Sequence, residues 1–415
     1  MGKDLIAYWY DRSEKVQRLV TKNKQILILA LIAFLVRLLF ISNPNLGTGD
    51  TATNNVATQA FLHGKDVYAL PNMFESIPPF SLHLLSLWRL VGKVLGYDFQ
   101  QFWKVLSSLF DTFLVILIYQ LGIIVFQSRK KAFNSALVYA FNPISIVISS
   151  VHGQIEPIWL FFILFSYFLL LQKKPLSLLS AISFGIGASV KLVPFLLLPF
   201  IILCLPGWKA RIIYCGVVLL TFLVLAFPEL YTSFNAVNKQ VLQYSSTPGM
   251  WGISYLINIV SFHGFVSHSV AQQLNTVLKY GMFGIIALFW FIQMKRGTTD
   301  FLHSACTVML LFLIFTPGFG TQYILWPVSF LVFQNTPFTK FYLLFGSLAM
   351  VAFYDLGIKP VSFLVGVLNI WLSHVSLTNV AIYTGDVTLF FLWGACVAYM
   401  IVEVREKLLF AHKTK

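Results

Sequence analysis

Two short stretches set acids beside polar partners at the ends of apolar runs. In "GTGDTATNN", Asp50 follows two glycines just beyond the first apolar run; in "SSVHGQIEPIW", His152, Gln154 and Glu156 alternate at the end of another. A carboxylate in such a place can serve as a general base, because one oxygen can be oriented by a hydrogen bond while the other stays free. The same spacing fits a helix cap: Asp50 or Thr51 ahead of "TATNN" would satisfy free N–H groups at the positive end of a helix dipole. Glu156, directly before Pro157, reads either as a polar cap joining two helices or as a second functional acid, since acids at the edge of a lipid phase are costly.

Cations accompany these acids. Lys191 in "GASVKLVP" and Arg37 inside the first apolar run could each snorkel, or could balance the charge of a phosphate leaving group. Asp111, seven residues after Lys104, reads as structural, either in a hydrogen bond between helices or in an ion pair with a neighbouring base. "FTPGFGTQYILWPVSF" interrupts its apolar surroundings with two Gly and two Pro, and irregular backbone at that depth usually lines a cavity. Gln322 and Tyr323 could there donate to sugar or phosphate oxygens. The Tyr, Asn, Gln and Trp of "PELYTSFNAVNKQVLQYSSTPGMWGISY" suit carbohydrate, though such residues also form ordinary interfacial belts.

These residues need a membrane frame to position them. The chain has 415 residues, 58% hydrophobic and 11% charged, with a mean hydropathy of +0.79, which implies one polytopic, all-α integral protein. Apolar runs predict spans near residues 25–42, 104–126, 131–150, 156–172, 175–191, 193–206, 211–228, 270–294, 300–316, 322–335, 340–355 and 387–403, about 11 to 13 in all depending on how borderline pieces are counted. Residues 1–24 read as a retained, amphipathic cytosolic segment, 25–335 as the main transmembrane module, and 336–415 as a C-terminal region with a basic tail.

The net charge of +14 suggests nucleic acid only until it is mapped onto topology. With the N-terminus in the cytosol, 20 of the 29 Lys and Arg fall inside, whereas among the acids only Asp4, Asp11, Glu14, Asp300, Glu403 and Glu406 do. That is the positive-inside pattern, so nucleic acid is not an expected partner. It requires "PPFSLHLLSLWRLVGKVLG", 78–96, to lie on the outer face, and 360–376 to be re-entrant or interfacial. The first outer loop, Ser42 to Gln101, is then long and built of short helices. Cys204, Cys215, Cys306 and Cys396 sit in apolar stretches without metal or redox spacing. There is no HExxH pattern, Walker loop or dinucleotide fingerprint. No cofactor is therefore expected to be required, and a divalent metal has no motif to support it.

The order of "AFLHGKDVYALP", "IPPFSLHLLSLW", "KVLSSLFDTFLVILIYQLG", "FNPISIVISSVHGQIEPI", "GIGASVKLVPFLLLP" and "QYILWPVSFL" resembles that of GT-C glycosyltransferases over about residues 25–335. The resemblance is nearest to mannosyltransferase-like enzymes of the bacterial glycosyltransferase family 87 and to dolichol-phosphate-mannose or -glucose transferases. It implies inverting transfer of a hexose, mannose first, from a polyprenyl or dolichyl phosphate to a lipid- or glycan-linked acceptor on the non-cytosolic face.

On that resemblance Asp50 is the general base, and Glu156 stands in "GQIE" where the family more often has Asp. Lys191 and Arg37 would hold the donor phosphate, and His152, Gln154, Gln322 and Tyr323 would bind substrate. The family's "YPP" element also differs, since Ile77 precedes Pro78 and Pro79. A bacterial plasma membrane is expected over the endoplasmic reticulum, because the chain is compact and has no long extra domain. Two other readings compete: a transporter or lipid flippase, which should place its polar residues near the bilayer midplane, and a non-catalytic scaffold.

Overall fold

The computed structural model describes residues 24–42, 49–70, 76–172, 177–243, 251–262, 264–297, 300–354 and 391–402. The expected amphipathic segment 1–24, the piece at 360–376 and the basic tail lie essentially outside these residues. The described residues are almost entirely helical and form no strand. Four helices are long and apolar enough to cross a membrane: Lys24–Ile41, Phe99–Phe126, Gly207–Thr232 and His268–Arg296. The bent pair Arg129–Phe141 and Pro143–His152 makes a fifth if it is one span, and shorter apolar helices accompany them. The fold is that of an all-α polytopic membrane protein.

Contacts divide the chain into two units. The first takes the described residues within Met1–Phe141, Ile148–Tyr244 and Gln293–Leu302. Its helices are α1 (Lys24–Ile41), α2 (Gly49–Leu62), α3 (Pro79–Leu95), α4 (Phe99–Phe126), α5 (Arg129–Phe141), α6 (Glu156–Leu170), α7 (Ser177–Val190) and α8 (Gly207–Thr232). Helix α4 packs on α1, α5 and α6, while α7 packs between α6 and α8. Without a hydrophobic force between helices in lipid, small residues permit the close approach. A Cβ at Gly122 would stand 2.9 Å from Ala132 Cα on α5. In "SFGIGAS", Gly185 faces Thr221 of α8 and Gly187 faces the Trp159 carbonyl of α6.

The described residues of the segment 42–101 are largely helical, as expected. After α2, Gly64 turns the chain at φ +72°, and Asp66 caps a 3-10 turn, Val67–Ala69, by accepting from Tyr68 N and Ala69 N. The Pro78–Pro79 pair opens α3, and left-handed Gly96 ends it. Ala57, Val67, Tyr68, Leu82, Val237 and Val241 form a buried cluster that ties this loop to residues 234–242. Helix α3 keeps Leu87, Val94 and Leu95 exposed. Its Arg89 turns to α2, donating to the Asn55 carbonyl at 3.0 Å, and lies over the Phe99 ring.

Three expected spans are broken. The run 193–206 becomes a 3-10 turn Val193–Leu196, a helical turn Leu198–Ile201 and a second 3-10 turn Ile202–Cys204. Pro194 and Pro199 each remove a backbone donor there, so no continuous helix forms. The run 131–150 breaks at Asn142, whose Oδ1 accepts from Ile144 N at 2.9 Å, and it ends in a π-helical turn, Val147–His152. In the second unit, the run 322–335 is a 3-10 turn followed by a helix of seven residues.

The second unit takes the described residues within Asn142–Val147, Ser245–Ile292 and His303–Lys415. Its main helices are α9 (Gly252–Phe262), α10 (His268–Arg296), α11 (Phe301–Phe315), α12 (Leu325–Leu331) and α13 (Pro337–Phe353). Trp251 and Trp393 donate to the Leu313 and Ile314 carbonyls of α11. Gly346 of α13 gives room to Ile144, and Tyr342 donates to the Ile324 carbonyl.

Candidate active site

The first unit brings Asp50, His152 and Gln154 together. Helix α2 begins at Gly49, so Asp50 lies in its first turn rather than at its cap. Its carboxylate points to the loop after the π-helical turn. Gln154 Nε2 lies 2.5 Å from Asp50 Oδ2, His152 Nε2 lies 3.1 Å from the same oxygen, and the two nitrogens are 2.8 Å apart. The Asp50 side chain is 56% exposed, against 7% for that of His152. All partners converge on Oδ2; Oδ1 has none among the described residues.

The loop that supplies these partners is fixed from below by α4. Trp103 Nε1 donates to the Gly153 carbonyl at 2.6 Å and Ser107 Oγ to the Gln154 carbonyl at 2.5 Å. Gln154 N closes the π-turn onto the Ile148 carbonyl at 3.0 Å. Gly153 has φ +70°, where a side chain is strained, and a Cβ there would stand 2.8 Å from Lys104 Cγ and 3.4 Å from Thr51 Cγ2. Glycine is therefore required by both conformation and space. Lys104, 2% exposed, runs its stem beneath the loop.

This surround holds the Asp50 carboxyl below its ordinary value. The His152 hydrogen bond is the largest cause, burial opposes it, and the charge on His152, the Gln154 bond and the Lys191 charge add to the lowering. Asp50 is thus an ionised acceptor with Oδ2 held and Oδ1 without a partner among the described residues, so that it can accept a proton, although the lowering makes it a weaker base.

Glu156 and Lys191 form the neighbouring pair. Glu156 opens α6, where a negative charge meets the positive end of the helix dipole. It is fully buried, and its Oε1 binds Lys191 Nζ in a close ion pair. Its Oε2 is buried and has no hydrogen-bond partner among the described residues. Lys191 follows α7, its N–H bonded to the Gly187 carbonyl, and its side chain keeps 20% of its surface. It is the cation of the group that both meets solvent and acts on Asp50.

Arg37 is placed elsewhere. Its side chain is wholly buried, with Nη2 2.6 Å from Asp111 Oδ2. Nε donates to the same oxygen at 2.7 Å, and Nη1 donates to the Ala33 and Ala140 carbonyls. Tyr139 completes the set by donating to Asp111 Oδ1 at 2.6 Å. This is the ion pair expected of Asp111, and it joins α1, α4 and α5. The described residues thus hold Arg37 in a buried network with Asp111 and two backbone carbonyls, and its contacts there do not include Asp50, His152 or Gln154.

Gln322 and Tyr323 belong to the second unit. Tyr323 is 6% exposed and packs its ring against Trp326, Phe319 and Phe312. The Gln322 amide folds back over Gly320. Sequence reasoning missed Trp103, Lys104 and Ser107. The signal was present in "WKVLSS", where Trp103 and Ser107 stand four apart and share one helix face. Among the described residues no three of His, Cys, Asp and Glu gather as metal ligands.

Residues 78–317, more than half of the chain, match the family model of Glycosyltransferase family 87. The match takes in His152, Gln154, Glu156 and Lys191 and begins after Asp50. No curated protein matches this chain.

Proposed function

The chain belongs to glycosyltransferase family 87, and from that premise we propose that it moves a hexose, mannose first, from a polyprenyl or dolichyl phosphate to a lipid- or glycan-linked acceptor on the non-cytosolic face of its membrane. Membership sets aside the transporter reading. The observation that carries the proposal is the pinned Asp50 carboxylate, with Oδ2 held by Gln154 and His152 and Oδ1 without a partner among the described residues.

In the proposed reaction Asp50 Oδ1 takes the proton of an acceptor hydroxyl as that oxygen attacks the anomeric carbon. The bond from that carbon to the lipid phosphate breaks on the opposite side, and the electron pair leaves with the phosphate. Lys191 balances the charge that develops there. Glu156 aims Lys191 through the ion pair, a supporting role rather than that of a second base. His152 and Gln154 act on Asp50 and only through it on the substrate. Because the leaving group is the lipid phosphate, no soluble nucleotide enters.

Purified protein in detergent would be offered labelled mannose or glucose on a short-chain polyprenyl phosphate, or the same sugars on nucleotides, with membrane-extract acceptors. The proposal expects transfer from the lipid-linked mannose. Transfer from a nucleotide sugar alone would overturn the donor class, and transfer from lipid-linked glucose alone would overturn the sugar.

A further inference from the structure

Outside the Asp50 group, a largely buried acid is paired with a histidine. His83, in the first turns of α3, sets Nε2 2.5 Å from Oε1 of Glu229, near the end of α8. The Glu229 side chain is 12% exposed and that of His83 29%. Helices α7 and α8 run side by side in the same direction, since Ser180 meets Tyr214 and Gly185 meets Thr221. Glu229 therefore lies at the end of the pair where Lys191 follows α7. Ser81 Oγ donates to the Val190 carbonyl at 2.7 Å, which brings the start of α3 to that same end. Leu192 and Leu230, neighbours in sequence of Lys191 and Glu229, pack with Phe61 against one buried cluster. The Phe61 ring lies 5.2 Å from that of His83.

As a strap between α3 and α8 this pair is poor. A buried ion pair adds little net stability, and the second oxygen of Glu229, Oε2, is buried with no hydrogen-bond partner among the described residues. The geometry suits recognition better. A carboxylate that accepts from Nε2–H fixes the orientation of the imidazole and leaves Nδ1 to a second partner, and Nδ1 has none among the described residues. Glu229 disfavours an anion there, and Lys191 at the same end disfavours a cation. The fitting group is a neutral hydroxyl on a frame with some apolar surface, which the rim of Leu192, Leu230 and Phe61 can meet. His83 is not among the groups that act on Asp50, and Phe61 stands eleven residues after Asp50 in α2, about 16 Å along the helix axis. A hydroxyl held by His83 is therefore not the one that reacts.

We propose that His83, oriented by Glu229, binds a hydroxyl of the acceptor glycan, on a sugar unit other than the one that receives the hexose. This rests on the reading of the chain as a glycosyltransferase with a sugar-bearing acceptor.

Full-length protein in a detergent without a sugar head group would be titrated with octyl mannoside and with octyl mannotrioside in the absence of donor. The same glycosides then serve as acceptors for labelled mannose on a short-chain polyprenyl phosphate. Two substitutions separate the two ends of the ring: His83→Gln keeps a donor to Glu229 near the Nε2 position and loses Nδ1, whereas His83→Asn keeps a polar atom near Nδ1 and loses the pair. His83→Gln should weaken trisaccharide binding, and raise the trisaccharide KM, by about three- to tenfold, the worth of one neutral hydrogen bond. Its melting temperature, its donor KM and its binding of the monosaccharide should match the wild type. His83→Asn should melt lower, because it leaves Glu229 unpaired. Equal trisaccharide binding by wild type and His83→Gln would overturn the proposal, and if transfer persists the glycosyltransferase reading stands without it. A wild type that binds the trisaccharide no better than the monosaccharide would overturn it too. Weakened trisaccharide binding in His83→Gln with no transfer from any donor would keep the glycan site and overturn the transferase reading. Should His83→Gln not fold, Glu229→Gln supplies the comparison: trisaccharide binding should fall with monosaccharide binding unchanged, and equal binding would overturn the proposal.

Discussion

Gln154 donates to the same oxygen of Asp50 that His152 approaches, at 2.5 Å, and the other oxygen of that carboxylate has no partner among the described residues. Orientation and availability thus fall on different atoms of one side chain. Gln154→Ala should leave Asp50 ionised but unfixed, lowering kcat by about 10²-fold, the cost typical of misplacing a reacting group by about 1 Å. Donor KM should hardly change. Steady-state kinetics in detergent separate the two parameters, and a rise in KM alone would assign Gln154 to substrate binding.

Lys191 and Glu156 invite a cycle of substitutions. Lys191→Met leaves a buried carboxylate unpaired, which typically costs about 3–5 kcal/mol, with the partial exposure of Lys191 favouring the low end. Glu156→Gln together with Lys191→Met removes both charges and should recover most of that stability. Donor KM should stay raised in the double variant by at least about tenfold, since a lost charged hydrogen bond is worth about 1.5–3 kcal/mol. Thermal unfolding read beside donor KM distinguishes the two roles, and recovery of both would make the pair purely structural.

Arg37→Met should destabilise the protein by a similar amount, about 3–5 kcal/mol, because Asp111 would stay buried with Tyr139 alone of the partners described above. Adding Asp111→Asn should recover part of the loss. Neither change should move donor KM, and a selective rise in KM for Arg37→Met would return this residue to the phosphate site.

Acid should act on the Asp50 anchor with a definite sign. Its folded carboxyl is held below the ordinary 3.8, so its contribution to stability is full above that value and is lost as pH falls through the lower one. Wild type should therefore melt above Asp50→Asn at pH 6, and the two should converge only below about pH 3.8. Convergence already near pH 6 would contradict the hydrogen-bonded carboxylate.

Much of this was legible in the residues themselves. The apolar runs give most of the long helices, and the Pro-Pro start and Gly96 end of α3 follow from local chemistry. The contact of "GTGD" with "HGQIE" across about 100 residues was not legible, since spacing along a chain does not show which helix ends meet; the resemblance put both stretches in one site but gave His152 and Gln154 to substrate. Arg37 shows the limit. An arginine inside an apolar run reads alike whether it reaches a phosphate or pairs with an acid 74 residues on, and only packing selects Asp111.

The breaks in 131–150 and 193–206 arise at prolines embedded in apolar sequence, where hydropathy averages over the lost hydrogen bond. Lys104 was noticed only for its spacing from Asp111, because nothing in the sequence shows that its stem lies against Gly153.

The most direct test of the account compares wild type with Asp50→Asn in transfer of labelled mannose from a short-chain polyprenyl phosphate, with donor binding measured on the same preparations. The substitution keeps the shape and removes the base. The account predicts retained donor binding and a loss of about 10²–10⁴-fold in transfer, the range for a positioned general base. Equal transfer by both proteins would contradict it, leaving Asp50 a structural residue and making Glu156 the acid to test next.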